Sequence, residues 1–252
     1  MKEGCIFKTA KHGKARIVKY SGCYDVEVEF IDTGYKTTTN TSNIKKGSVK
    51  DRLLATVCGV GFIGDGRHGT RINGKFSNAY SVWCNILDRC YEYNSRSQRK
   101  NYNGCSVDFK WHNYQNFAEW FERSNVNSDP SVNVDKDLLI PGNKVYSENT
   151  CVLIPQWLNK FLKLNHDGSV LKMVGVDFLP RASNKNPYRA RCVNPFTKKS
   201  EHLGLFKSEI DAHKAWKEKK LKHARKLKSK MDSFDARIYK SSVEMIEGVG
   251  KQ

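Results

Sequence analysis

The stretch VDKDLLIPGNKVYSENTCVLIPQWLNK, Val134 to Lys160, sets two aspartates, a Gly-Asn pair, a cysteine and a late asparagine between two apolar runs. By spacing, Val134, Leu138, Val152, Ile154 and Leu158 pack a strand, a turn and a helix against a core. The polar residues leave two readings. Asp and Asn are common in ordinary turns, where their side chains bond nearby backbone. Oxygen ligands held at fixed positions also suit a hard divalent cation, Mg²⁺ or Mn²⁺ rather than zinc.

The composition surrounding this stretch limits the function classes. The chain has 252 residues, 38% of them hydrophobic, which fits several small modules better than one large core. Lysine and arginine number 44 against 26 aspartates and glutamates, a net charge of +18, and such an excess points to a polyanionic partner. Nucleic acid is favoured over membrane, because no apolar run reaches the length of a spanning helix. The start, MKEGCIFKTAKHGK, is too polar for a secretory signal, so a cytoplasmic location is expected. The eight cysteines are scattered without a C-x-x-C pair, and no disulfide framework is expected. A structural zinc on Cys90, Cys105 and Cys151 is the weaker metal reading.

Residues 1–52 predict a small β module of the SH3-like type. ARIVKY, YDVEVEFID and YKTTTN are rich in β-branched and aromatic residues, and VEVEF alternates with period two. GVGFIG, Gly59 to Gly64, matches the dinucleotide-binding pattern G-x-G-x-x-G formally. It lacks the required context, because DGRHGTRINGK follows with no helical periodicity, and a closely packed glycine turn is expected instead. Val82, Ile86, Leu87 and Cys90 then fall at helical spacing, as do Tyr114, Phe117 and Phe121, predicting two short helices around an aromatic core.

Residues 151–252 carry 22 lysines and arginines against 10 acids, most of the net charge. KMVGVDFL, PYRARCVN and KKSEHLGLF predict three strands with turns at PRASNKNP and NPFTKK, followed by one long helix over SEIDAHKAWKEKKLKHARKLKSKM. Ser208 is the expected N-cap, with Glu209 and Asp211 at the positive end of the helix dipole. Ile210, Ala215 and Leu221 are expected to face the sheet. The basic positions beyond Lys217 are expected to be solvated or laid along phosphate.

GVDF, YRARC and HLGLFKSEIDAHKAW together resemble the AP2-type DNA-binding domain over about Gly175 to Lys217. In that family a three-stranded sheet enters the major groove. The resemblance implies base or phosphate contacts from Arg189 and Arg191, alternate residues that share one face of a strand. Lys198, Lys199, Lys219, Lys222 and Lys226 would supply further phosphate contacts.

AYSVWCNILDRCY, SVDFKWHNYQNFAEW and the opening stretch resemble HNH-type endonucleases of bacteriophages, mobile or homing enzymes that often carry an AP2-like tail. The likeness spans about Gly59 to Phe161. It implies a ββα-metal fold holding one Mg²⁺ or Mn²⁺ ion that stabilises the leaving 3′ oxygen. On this chain Asp135 matches the metal-binding Asp, Asn143 the loop Asn and Asn159 the helix Asn. The general-base His of the family is replaced by Lys136. In a continuous strand Asp135 and Asp137 share a face and Lys136 points the opposite way. Lys136, Asp137, His68 and His112 remain alternatives for the base.

The sequence therefore predicts an α+β, multi-module chain. Residues 1–52 form the SH3-like β module, 53–165 an HNH-like ββα-metal core, 170–232 an AP2-like three-stranded antiparallel sheet with one long helix, and 233–252 a tail. The expected function is site-specific cleavage of double-stranded DNA with a divalent metal, in a host bacterial cytoplasm if the gene belongs to a phage. A catalytically inactive, sequence-specific DNA-binding protein is the alternative. Target site and oligomeric state stay open.

Overall fold

The computed structural model describes residues 1–92, 102–125, 129, 131–164, 173–179 and 185–250. Among them the chain is mixed α+β, with six α-helices and several small sheets. It divides into two compact units, Met1–Glu119 and Trp120–Gln252. No helix among the described residues is long and apolar enough to cross a membrane.

The first unit opens with a four-stranded antiparallel meander, β1 (Ile6–Lys8), β2 (Lys14–Gly22), β3 (Asp25–Phe30) and β4 (Lys36–Thr39), closed by a short helix α1 (Thr41–Lys45). Alternation along β3 buries Val26, Val28 and Phe30, which join Ala15, Ile17, Tyr35, Ile44 and Val49 in one core. Three strands match the expected runs. Strand β1 and helix α1 were not anticipated, being too short to show a period.

A small hairpin, β5 (Arg71–Ile72) with β6 (Lys75–Phe76), leads into helix α2 (Asn78–Tyr91), which is capped by Ser77 and buries Trp83, Ile86, Leu87 and Cys90. Strand β7 (Ser106–Val107) and a single 3-10 turn (Phe109–His112) precede helix α3 (Tyr114–Ser124). The expected aromatic core is present: the Trp111 and Phe117 rings meet edge to face at 5.1 Å, and the Trp83 indole N–H donates to the Trp111 carbonyl at 2.6 Å. Within GVGFIG, a Cβ added at Gly61 would lie 2.4 Å from Leu87 and 2.9 Å from Trp83. That glycine admits helix α2 against the loop, and no helix opens at Gly64.

In the second unit β8 (Val132–Asp135) pairs antiparallel with β10 (Val152–Pro155), and helix α4 (Gln156–Leu162) follows at once. Strand β9 (Val145–Tyr146) lies in the connection. Further along, β11 (Val176–Phe178), β12 (Tyr188–Val193) and β13 (Ser200–Phe206) form an antiparallel sheet in sequence order, backed by helix α5 (Glu209–Asp232). The turn expected at 180–187 falls mostly outside the described residues, as does the boundary expected at 165–170. Ser208 caps α5 as expected, its hydroxyl oxygen accepting from Asp211 N–H at 3.1 Å.

Two expectations about α5 are corrected. Ile210 is 53% exposed and Leu221 packs instead on the ββα core, whereas Ala215 packs on the sheet cluster as expected, beside a buried stripe that begins with Ala212, His213 and Trp216. The stripe then continues through Lys220, His223, Ala224, Leu227 and Met231, all buried, so the basic half of the helix is not simply solvated. Its apolar positions pack with Leu138, Val152, Ile154, Leu158, Phe161 and Leu162 of the ββα element. Residues 233–252 are not a mere tail, because helix α6 (Arg237–Gly248) adds Ile238 and Ile246 to the same core. Helix α5 thus packs against both the three-stranded sheet and the ββα element.

Candidate functional site

The bend after β8 is shaped by Asp135. Its Oδ1 accepts from the backbone N–H groups of Asp137 at 2.9 Å and Leu138 at 2.8 Å, which curls the chain out of the strand. Strand β8 accordingly ends at Asp135, and Lys136 and Asp137 lie in the bend. This corrects the expected continuous strand with Asp135 and Asp137 on one face. Burial pushes the Asp135 carboxyl above its ordinary range, and the two backbone bonds act in the opposite direction.

Lys136 is only 6% exposed. Its Nζ donates to both carboxylate oxygens of Asp137, at 2.6 and 2.7 Å, and to the Asn143 carbonyl at 2.8 Å. An ammonium has three N–H donors, and all three are engaged here. These contacts tie Lys136 to Asp137 and to the Asn143 loop.

Asn143 fixes the loop. Its Nδ2 donates to the carbonyls of Lys136 at 2.9 Å and Val145 at 2.7 Å, while Oδ1 accepts from Val145 N–H at 3.1 Å. Gly142, at φ +75°, supplies the left-handed step before it. Asp135, Lys136, Asp137 and Asn143 therefore form one connected group. Asn159 stands on the exposed face of α4, opposite buried Leu158, Phe161 and Leu162. Among the described residues no hydrogen bond joins it to that group.

A second group was missed by sequence reasoning. Gln115 clamps the glycine-rich loop, accepting from His68 N–H at 2.9 Å and donating to the His68 and Ile63 carbonyls at 3.0 and 3.2 Å. His68 Nε2 then lies 2.9 Å from Glu119 Oε2, and the Arg67 guanidinium donates to the same oxygen at 3.1 Å. Hydrogen bonds from His68 and Arg67 hold the Glu119 carboxyl below its ordinary range. Glu122 follows one turn later on the same helix, and the ligand atoms of His68, Glu119 and Glu122 lie within 4.8 Å of one another. This group could hold a metal ion. The signal in the sequence was the pair of glutamates three apart, too common on helix surfaces to stand out. His112 instead meets the Tyr91 hydroxyl at 3.2 Å. Among the described residues Cys90, Cys105 and Cys151 do not converge as metal ligands, and burial pushes the Cys151 thiol up to about 12.

On the three-stranded sheet, Ala190 and Cys192 are buried toward α5 while Arg189 and Arg191 occupy the opposite face. A bulge on β13 lets both Leu203 and Phe206 pack on the helix side, with Gly204 at φ +135° making the irregular step. The outer face forms a shallow depression lined by Leu179, Arg189, Arg191, Ser200, His202 and Leu205. Asp177 lies opposite Arg189 in register, and both arginines bond its carboxylate.

Lys198 and Lys199 are exposed in the β12–β13 turn, and Lys222 and Lys226 are exposed on α5. Lys219 is instead tied to Glu201 at 2.9 Å. Compared with known protein families, curated proteins and solved structures, the chain matches none.

Proposed function

We propose that the chain is a metal-dependent DNA endonuclease of the HNH type, directed to duplex DNA by an AP2-like sheet. The observation that carries the nuclease reading is the order of the second unit. A strand ending in Asp135 leads into a loop pinned by Asn143, then an antiparallel strand, then a helix presenting Asn159. Asp135 and Asn159 would hold Mg²⁺ or Mn²⁺, which would supply Lewis-acid stabilisation of the leaving 3′ oxygen. Asp135 also shapes the bend that brings Lys136 and Asp137 together. With the Lys136 donors engaged, Asp137 is the residue of this loop that takes the proton from water. Arg189 and Arg191 meet the major groove, and the exposed lysines meet phosphate.

The engaged Lys136 favours a second reading, in which the same framework is retained for sequence-specific DNA binding after catalysis was lost with the histidine. Incubating supercoiled phage and host DNA with the full chain, in Mg²⁺ or in EDTA, separates the two. Nicked or linear product only with Mg²⁺ supports the nuclease, whereas retarded but intact DNA under both conditions supports the binding protein.

A further inference from the structure

Two guanidinium groups share one carboxylate on the exposed sheet face. Arg189 donates to Asp177 Oδ2 through Nε at 3.1 Å and Nη2 at 2.9 Å. Arg191 donates to Oδ1 through Nη2 at 2.9 Å, and its Nε stands 2.6 Å from Oδ2. The Asp177 side chain is 24% exposed, against 37% and 47% for the two arginines, so the carboxylate lies deeper than the cations it joins. Each guanidinium carries five N–H donors in a rigid fork. Asp177 engages the Nε and Nη2 side of each fork and leaves the Nη1 edges for an incoming acceptor.

We propose that Asp177 is the specificity-determining residue of this face, acting as a positioning residue for Arg189 and Arg191. The inference rests on the reading of this sheet as the DNA-facing surface, and it assigns the discrimination to a residue that need not touch a base. Its role is twofold. It fixes the orientation of both forks, which bidentate contact with the paired acceptors of guanine requires. It also cancels one of two adjacent positive charges, which weakens attraction to the phosphates present on every sequence.

The two roles predict opposite changes on two kinds of DNA. A preferred duplex is first selected from a random oligonucleotide pool with the wild-type full chain. Binding of that duplex and of a random duplex is then measured across a salt series for wild type, Asp177→Asn, Asp177→Glu, and the double variant Arg189→Ala/Arg191→Ala. In Asp177→Asn, random-duplex affinity rises and its log K against log salt slope steepens by about one. The ratio of selected to random affinity falls roughly tenfold, the scale of one bidentate base contact. Asp177→Glu keeps the charge but moves the carboxylate, so it lowers the ratio without steepening the slope. Thermal unfolding of each variant identifies any that fails to fold, and the remaining Asp177 variant then decides.

An unchanged ratio in both Asp177 variants, with the arginine double variant impaired, overturns the inference and leaves the DNA-facing sheet intact. Unchanged binding in the arginine double variant, or a selection that enriches no sequence, overturns the reading of the sheet itself.

Discussion

Lys136 and Asp137, adjacent in sequence, close on one another in the bend after β8, with Nζ at 2.6 and 2.7 Å from the two carboxylate oxygens. The lysine is buried and the aspartate half exposed. Removing the cation leaves Asp137 and the Asn143 carbonyl without their donor. Lys136→Ala should therefore cost about 1 kcal/mol in urea unfolding, the net scale of a hydrogen bond, because water replaces part of the bonding at the half-exposed Asp137. Cleavage by the refolded variant should follow its folded fraction. A variant as stable as wild type but devoid of cleavage would instead make Lys136 a direct participant in catalysis.

Asn143 makes its three bonds to the backbone of the same loop. Asn143→Ala should lower stability by about 1–3 kcal/mol, because net contributions near 1 kcal/mol per bond are only partly replaced by water. Hydrogen exchange at Val145 N–H should accelerate with it. Unchanged exchange would show that the loop holds its shape without this side chain.

The lysines on α5 should divide into two classes. Lys222 and Lys226 are exposed, and replacing either with alanine should weaken binding to all duplexes alike, reducing the salt slope by about one for each phosphate no longer neutralised. Lys219→Ala should also destabilise the fold, since it releases Glu201. Equal stability of Lys219→Ala and wild type would remove that distinction.

Acid stability reports on the same ion pairs. Asn194 and Lys219 hold the Glu201 carboxyl down at about 2, with His223 also bonded to it. The folded-state value is depressed, so the contribution is present above the unfolded value of about 4.3 and is lost as pH falls toward the folded one. Burial holds His223 below its ordinary value, so its unfolded-state protonation erodes stability in the same direction as pH falls through the region of 6.5. The stability advantage of wild type over Glu201→Gln should be full at neutral pH and shrink steadily below about pH 4.3. A difference that does not vary with pH would place Glu201 outside this linkage.

Much of the local structure was legible because it rests on period and turn chemistry. VEVEF and YRARC each alternate along an observed strand, and Ser208 caps the long helix as its position suggests. The reversal at Asp135 was not legible, because two backbone N–H groups compete with strand pairing and the outcome depends on the folded neighbourhood. The burial of Lys220 was hidden in a run of lysines. Its Nζ lies 4.0 Å from the Phe161 ring centroid, a partner on α4 that the local pattern of α5 does not name. Glu119 and His68 meet across 51 positions, a separation over which spacing carries no information.

The most direct measurement compares wild type with Asp135→Ala and Asn159→Ala on supercoiled DNA, scoring cleavage and binding in parallel at fixed Mg²⁺. The account predicts that wild type converts the substrate to nicked or linear product and that EDTA stops it. Asp135→Ala and Asn159→Ala should lose that conversion by at least about two orders of magnitude, the scale of an electrostatic group acting in the transition state, while still retarding the same DNA. Cleavage that persists undiminished in both variants, or a wild-type protein that binds and never cuts, would contradict it.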